Sequence, residues 1–160
     1  MTLITAEQER QVRDILEKAL DITVATTRPD GWPQATTVSF VSDGLNLYFG
    51  TWTQSQKAAN IKHDPRVSVT ANAPYTSWDT IRSLSLAGEA AFVTAPAEQA
   101  RVGELMMKRF GDELAKQSNI DMSQTALIRI TPQVISILDY GKGFGHKADV
   151  AMPASGKAAA

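Results

Sequence analysis

Apolar side chains repeat at helical spacing in the first twenty residues and at strand spacing over most of the remaining chain. The helical repeat is carried by Val12, Ile15, Leu16, Ala19 and Leu20. Thr5 followed by Gln8 fits a capping box at the start of this helix. From residue 22 onwards, β-branched and aromatic residues form short runs that turn residues interrupt. The pattern therefore predicts an N-terminal amphipathic helix followed by a mainly β chain.

These runs predict six or seven strands and one further helix. The predicted strands are residues 22–27, 32–41, 45–50, 66–71, 81–94, 126–131 and 133–138. Pro132 separates the last two, and Gly88 marks a bulge or bend in the longest one. The second helix is expected to begin near Pro96 and to end at Gly111, with a further turn or two over residues 112–117.

Short strands joined by short connections favour a closed antiparallel barrel or a sandwich over a doubly wound parallel sheet. The sequence contains no GxGxxG motif and no Walker lysine loop, so the common nucleotide-binding folds are poor candidates. With 160 residues, we expect one domain over residues 1–150. Residues 151–160 are rich in alanine, and we expect a disordered tail there.

Composition narrows the possible chemistry. The formal net charge is −1, so no global field attracts nucleic acid or a membrane surface. The absence of cysteine excludes disulfides, thiolate metal ligands and thiol catalysis. Two histidines, His63 and His146, are too few for an evident zinc centre, so no metal site is predicted. No apolar run reaches the length of a membrane span or resembles a signal peptide, so we expect a cytoplasmic protein.

The bend between the third and fourth predicted strands is rich in hydroxyl and amide side chains and contains Lys57. Ser55 can cap a short helix that starts in this bend, which leaves backbone N–H groups pointing out of the first turn. A phosphate placed there would meet those donors, the positive end of the helix dipole and the Lys57 ammonium group. An ordinary solvated turn with a serine cap explains the same residues, and local physics alone favours the ordinary turn.

Three other features could contribute to a ligand site. Alternation in the second strand places the hydroxyls of Thr37 and Ser39 on one face, although threonine is also a common strand residue. Several Trp and Tyr residues could stack on a flat ring, but such residues more often lie in cores or interfaces. The stretch YGKGFGH is equally compatible with a mobile flap bearing Phe144 and His146 or with a flexible tail. We find no convincing acidic pair and no GxSxG motif.

Four stretches, taken in order, identify a family. They are ITVATTRPDGWPQATTVSF, LYFGTWTQSQKAANIKHDPRVSV, IRSLSLAGEAAFV and VISILDYGKGFGH. The most specific part is the pattern S-x-K-x-x-N-I-x-x-x-P-R-V, which runs from Ser55 to Val67. The run from Ile22 to about Leu138, to which the resemblance applies, covers about three quarters of the chain. This arrangement resembles the pyridoxamine 5′-phosphate oxidase-like FMN-binding split-barrel family, and more narrowly its small general-stress-protein branch.

The resemblance implies a mainly β protein with flanking helices, built as a six- to seven-stranded antiparallel split β-barrel. It also implies a homodimer that binds FMN at the subunit interface and acts as an oxidoreductase on a small molecule. By resemblance, the cofactor-binding residues are Thr36, Thr37, Val38, Ser39, Gly50, Thr51, Ser55, Gln56, Lys57, Arg82 and Ser83. Ser55 and Lys57 would hold the phosphate, and the segment around Phe144 and His146 would approach the cofactor. No residue is assigned as a catalytic acid or base.

The chain departs from the pattern of true pyridoxamine phosphate oxidases. Gln56 stands where these enzymes usually have an arginine, and their C-terminal segment for the substrate phosphate has no equivalent here. Vitamin B6 oxidase activity is therefore not expected. The same fold could instead hold deazaflavin or haem, for which His63 or His146 would be the axial ligand. A non-catalytic flavin-binding or stress-response module is a further alternative.

Overall fold

The computed structural model describes residues 1–117 and 120–153, and within them the chain forms nine strands and three α-helices. The strands are β1 (Thr2–Leu3), β2 (Ile22–Thr27), β3 (Pro33–Val38), β4 (Val41–Asp43), β5 (Asn46–Trp52), β6 (Arg66–Asn72), β7 (Arg82–Phe92), β8 (Thr125–Asp139) and β9 (Lys147–Ala151). The helices are α1 (Ala6–Lys18), α2 (Gln56–His63) and α3 (Pro96–Lys116). Residues 154–160, most of the predicted tail, lie outside the described residues.

The strands form one sheet in the order β1-β9-β8-β7-β6-β2-β3, and β5 pairs with β8 and with β4. All ladders are antiparallel except the parallel pair β1–β9, so the prediction of an entirely antiparallel barrel is wrong at that edge. The ladders of the described residues do not close into a complete barrel. The mainly β class with flanking helices is confirmed. The predicted strand count is too low because β1, β4 and β9 were not predicted, although two predicted strands form the single strand β8. β1 and β4 are only two and three residues long.

β8 is a single fifteen-residue strand, whereas the sequence predicts two strands that meet at Pro132. Pro132 pairs with Gly88 of β7, and the register of this ladder shifts between Ala87 and Gly88. The predicted irregularity at Gly88 is therefore confirmed. An ideal Cβ on Gly88 would lie 2.5 Å from the carbonyl oxygen of Thr131, so only glycine allows the two strands to approach this closely.

Helix α3 continues through Gly111, where the sequence predicts its end. A glycine stops a helix when it adopts the left-handed conformation, and Gly111 is not among the glycines with positive φ. The helix therefore keeps its regular path to Lys116. None of the helices in the described parts of the chain is long and apolar enough to cross a membrane.

Helix α1 starts with the predicted capping box, since Thr5 and Gln8 exchange side-chain-to-backbone hydrogen bonds. Its buried residues Val12, Ile15 and Leu16 join the main core beneath the sheet. A second, smaller cluster lies under α3 and is built from Val41, Tyr48, Val93 and Val102. The hydroxyl of Tyr48 donates to Glu98, which also pairs with Arg129, and this pins α3 to β5 and β8.

Gly88→Ala should lower the free energy of unfolding by about 1–3 kcal/mol, because the added methyl group would overlap the backbone of Thr131 and Pro132. The measurement is urea denaturation followed by circular dichroism. Gly103→Ala is the control: a Cβ at this position of α3 meets no atom within 4 Å, and alanine should stabilise the helix by up to about 1 kcal/mol. Equal stability of the two variants would contradict the close approach at Gly88.

Candidate functional site

The bend after β5 ends in a capped helix, as the sequence predicts. The Oγ atom of Ser55 accepts a hydrogen bond of 3.1 Å from the backbone N–H of Ala58 at the start of α2. The Oγ1 atom of Thr51 lies 3.0 Å from the same Ser55 oxygen. The helical ladder itself supplies no partner for the backbone N–H groups of Gln56 and Lys57, so these groups are available to an anion.

Lys57 lies in the first turn of α2 and is only 9% exposed. Among the described residues, its ammonium nitrogen has no ion-pair or hydrogen-bond partner, and its contact is with the ring face of Phe49, 5.3 Å from the centroid. Burial lowers the pKa of Lys57 from its ordinary value because the charged form loses hydration. An ammonium group that loses part of its hydration without gaining a counter-charge is costly for the folded chain. Its position therefore suits an external anion.

A second unsatisfied group lies on β3. Thr36 Oγ1 is the one buried side-chain oxygen or nitrogen in the described residues that has no hydrogen-bond partner. β3 is the outer strand of the sheet, paired only with β2. Thr36 and Val38 are half-buried, whereas Thr37 and Ser39 are exposed, which agrees with the predicted alternation. An unpaired buried hydroxyl at a sheet edge is available to a ligand with a polar rim.

Asn60 connects the helix that carries Lys57 to the strand that carries Thr36. It is completely buried, and its Nδ2 atom donates to Thr26 Oγ1 at 2.9 Å and to Gln34 Oε1 at 3.0 Å. Its Oδ1 atom accepts from Gln56 Nε2 at 2.8 Å. Asn60 thus ties α2 to β2 and to β3, two residues before Thr36. It also fixes Gln56, whose amide serves the helix rather than a ligand.

Sequence reasoning did not assign a site role to Asn60, Thr26 or Gln34. The available signal was the position of Asn60, one helical turn after Lys57 in the S-x-K-x-x-N pattern. A buried asparagine on the sheet side of a short helix needs partners on the facing strands. Gly50 and Thr51, both predicted site residues, occupy the end of β5 just before this helix.

Arg82 has internal partners. Its Nε atom lies 2.6 Å from Oδ1 of the buried Asp139, and its Nη1 atom donates to the carbonyl oxygens of Asp79 and Ile81. A Cβ on Gly141 would overlap the guanidinium group, so the arginine is closely enclosed. Within one chain, Arg82 therefore connects β7 to the end of β8 and has little capacity left for a cofactor.

Ser83 lies at the opposite end of the sheet from the Lys57 region. It pairs with Asn72, whereas Thr26, the partner of Asn60, is five ladder positions away. Five positions along a strand correspond to about 17 Å. A single chain thus brings together the predicted residues of β5 and α2 and leaves Arg82 and Ser83 apart from them. β3 runs from Gln34, beside Asn60, towards the end of the sheet at which Ser83 lies.

Neither of the two histidines is buried beside Lys57. His63 is exposed in the last turn of α2, and His146 is exposed in the turn before β9. Phe144 of the same turn packs against Trp78 and Tyr140. The described residues contain no group of three acidic or histidine side chains that could hold a metal ion.

The arrangement fits a phosphate-bearing organic cofactor. Such a molecule would offer an anion to Lys57 and to the first turn of α2, and polar ring atoms to the Thr36 hydroxyl. Both groups that the fold leaves unsatisfied would then have partners. No side chain of the site is placed or tuned as an evident acid or base, so the residues themselves bind and orient.

Comparison with solved structures shows the same fold. A haem-binding protein from Mycobacterium smegmatis has a TM-score of 0.77 at 20% identity, with 93% of this chain covered. This chain spans only 60% of that protein's length. The conserved hypothetical protein Rv2991 from Mycobacterium tuberculosis has a TM-score of 0.72 at 28% identity, with 96% and 95% of the two chains covered. An F420 reductase has a TM-score of 0.63 at 29% identity, with 78% and 94% covered.

No curated protein matches the chain. The model of the pyridoxamine 5′-phosphate oxidase family matches residues 8–139, which include most of α1, every strand from β2 to β8 and the whole Lys57 region. This match extends over far more than half of the sequence, and the solved structures agree with it in fold. The chain therefore belongs to the pyridoxamine 5′-phosphate oxidase family.

Proposed function

We propose that this chain is a cytoplasmic FMN-binding protein of the general-stress-protein-like branch, and that it acts as an oxidoreductase on a small molecule. The observation that carries the proposal is the largely buried side chain of Lys57, whose ammonium group has no counter-charge among the described residues. FMN supplies a phosphate for this cation and a flat, polar-edged ring for the β3 edge. When bound, the flavin supplies the hydride or electron chemistry.

The residues of the chain have distinct roles in this proposal. Lys57, the Ser55 hydroxyl and the free N–H groups of α2 bind the phosphate. Thr51 holds Ser55 in place through their 3.0 Å contact, and Asn60 fixes the helix against β2 and β3. The hydroxyl of Thr36 meets the polar edge of the ring or the ribityl chain from one face of β3, and Thr37 lies on the opposite face. Gln56 adds no charge, so the phosphate relies on a single lysine.

A homodimer forms part of the same proposal. β3 has a neighbour on one side only, and Thr37 and Ser39 are exposed on it. An outer strand that carries exposed hydroxyl groups and one buried hydroxyl group without a partner is suited to a subunit interface. A second copy would also allow Ser83, which lies about 17 Å along the ladder from the Asn60 contact, to reach the cofactor of its partner.

Deazaflavin is the second candidate, because an F420 reductase is among the similar structures. A deazaflavin cofactor also carries a phosphate, so Lys57 would serve it equally well. A non-catalytic flavin-binding module would use the same contacts, and it would differ in that the bound flavin is not reduced by NADH or NADPH. Titration of the protein with each cofactor, followed by a reduction assay, separates these three cases.

Lys57→Met should weaken FMN binding by about 10-fold to 150-fold, since a charge-assisted contact contributes about 1.5–3 kcal/mol. The same variant should raise the unfolding temperature of the cofactor-free protein, because it removes a buried charge that has no partner. The measurements are quenching of FMN fluorescence and differential scanning calorimetry. Gain of stability together with loss of affinity is the expected combination.

Lys62→Met is the matched control for this experiment. Lys62 lies on the same helix and contacts the ring of Phe92, but its side chain is exposed. It should change FMN affinity and stability little. Equal losses of affinity in the two variants would indicate a general effect of charge and would contradict a specific phosphate contact at Lys57.

The stability gain from Lys57→Met should shrink as pH rises. Burial lowers the pKa of Lys57 in the folded chain, so between this pKa and the ordinary value of 10.5 the unfolded chain binds more protons than the folded one. The free energy of unfolding of the wild type must then increase with pH across this window, relative to the variant. Urea denaturation of both cofactor-free proteins from neutral pH to about pH 10.5 measures it. A difference that stays constant with pH would show that Lys57 is not desolvated.

Haem binding is tested separately, because haem-binding proteins share this fold. If the chain held haem through a histidine, addition of hemin would give a Soret band that His63→Ala or His146→Ala abolishes. The proposal expects no such histidine-dependent band, since both side chains are exposed and neither is placed beside Lys57. A band lost in one variant, with Lys57→Met unaffected, would favour haem over flavin.

A further inference from the structure

Helix α2 carries Lys57, yet few apolar contacts hold the helix in place. It has eight residues, which is too few for a helix to be stable by itself. Its buried apolar side chains are those of Ala58 and Ile61. Apolar contacts have no preferred direction, so one alanine and one isoleucine leave the rotation of the helix about its axis poorly fixed. Hydrogen bonds are directional and can fix this rotation.

The buried side chain of Asn60 supplies three such hydrogen bonds. Its amide nitrogen donates both protons, to Thr26 Oγ1 at 2.9 Å and to Gln34 Oε1 at 3.0 Å. Thr26 and Gln34 are direct partners in the ladder of β2 and β3, so Asn60 binds a cross-strand pair. Its amide oxygen accepts from Gln56 Nε2 at 2.8 Å, which ties the first turn of α2 to the same point.

The orientation that Asn60 imposes on the helix also determines where Lys57 points. The two residues are three positions apart and therefore neighbours on one side of the helix. A lysine ammonium group is strongly hydrated and its stem is flexible, so a helix that could rotate would expose this group to water. In the folded chain Lys57 is only 9% exposed, and its ammonium nitrogen lies 5.3 Å from the centroid of the Phe49 ring.

We propose that Asn60 is a positioning residue for the phosphate of the cofactor. Its hydrogen bonds hold α2 in the orientation that directs the Lys57 ammonium group inwards over Phe49, where the phosphate binds it. Asn60 is completely buried, and both protons of its amide nitrogen are already used, so it acts through Lys57 and does not touch the cofactor. This inference rests on the proposed function, because FMN supplies the phosphate.

The test compares FMN with riboflavin, which has the same ring and ribityl chain but no phosphate. Quenching of flavin fluorescence by the full chain gives the two dissociation constants. The wild type should bind FMN at least about tenfold more tightly than riboflavin. Asn60→Leu keeps the side-chain volume and removes the three hydrogen bonds, and it should reduce this preference at least about threefold. A merely structural role would weaken the binding of both ligands by the same factor.

A double-mutant cycle shows whether Asn60 acts through Lys57. Lys57→Met leaves no ammonium group to be positioned, so the addition of Asn60→Leu should change the preference for FMN much less than it does in the wild type. An equal fall of the preference in the two backgrounds would show that Asn60 acts on the phosphate by another route, and it would overturn the proposal.

Two further variants control for loss of stability. Val102→Ala truncates a completely buried side chain in the cluster under α3, which contains no residue of α2 or β3. It should destabilise the fold and leave the preference for FMN unchanged. Gln34→Ala removes only one of the Asn60 bonds, from a half-buried side chain on an outer strand, and it serves if Asn60→Leu does not fold. It should lower the preference in the same direction by a smaller factor.

The outcomes distinguish this inference from the proposed function. A wild type that binds FMN no more tightly than riboflavin would contradict the phosphate site at Lys57, and the role of Asn60 would fall with it. A clear preference for FMN that Asn60→Leu leaves intact would overturn the role of Asn60 alone. The same conclusion would follow if Val102→Ala changed the preference as much as Asn60→Leu does.

Discussion

The close approach of β7 and β8 at Gly88 is the constraint on which the rest of the sheet depends. β8 pairs with β7 along almost its whole length, and its other edge is shared by β5 and β9. The β7–β8 ladder continues past a register shift, where Gln133 has no partner between the pairs Ala87–Val134 and Gly88–Pro132. Gly88 supplies the space for this bulge, since any Cβ there would overlap the Thr131 carbonyl group. The bulge thus allows one long strand to support both parts of the split sheet.

The candidate site follows from where this arrangement places β5. The first part of β8 holds β5 up to Trp52, and Ser55 then starts α2 three residues later. Asn60 ties that helix back to β2 and β3. Lys57 becomes buried as a consequence, because its helix lies between the strands. The chain accepts a partly desolvated charge without a counter-charge at this position, and an anion bound there would offset the cost. Stability of the cofactor-free protein and affinity for the cofactor are therefore opposed at Lys57.

Much of the fold could be predicted from local sequence, and the failures have physical causes. The capping box of α1, the strand Ile22–Thr27 and the irregularity at Gly88 follow from local geometry. The prediction that α3 ends at Gly111 was wrong because glycine permits the left-handed conformation that ends a helix but does not require it. The burial of Lys57 and the pairing of Arg82 with Asp139 depend on residues far away in the sequence, which spacing alone does not reveal. The resemblance named Lys57 and Arg82 as site residues, and only the tertiary structure gives the groups that surround them.

The chemistry of the Lys57 region distinguishes among the cofactors that this fold accommodates. Haem requires an axial ligand, and its carboxylates sit at the edge of a large apolar ring. The two histidines of this chain are exposed, and His63 lies six residues after Lys57, about 9 Å along the helix axis. FMN and deazaflavin need instead one anion site and a polar strand edge. Within residues 1–117 and 120–153, the buried Thr36 hydroxyl has no hydrogen-bond partner and the Lys57 ammonium group has no counter-charge. In the proposed complex, a phosphate-bearing flavin would give both groups a partner, whereas haem would give the Lys57 ammonium group only a peripheral one.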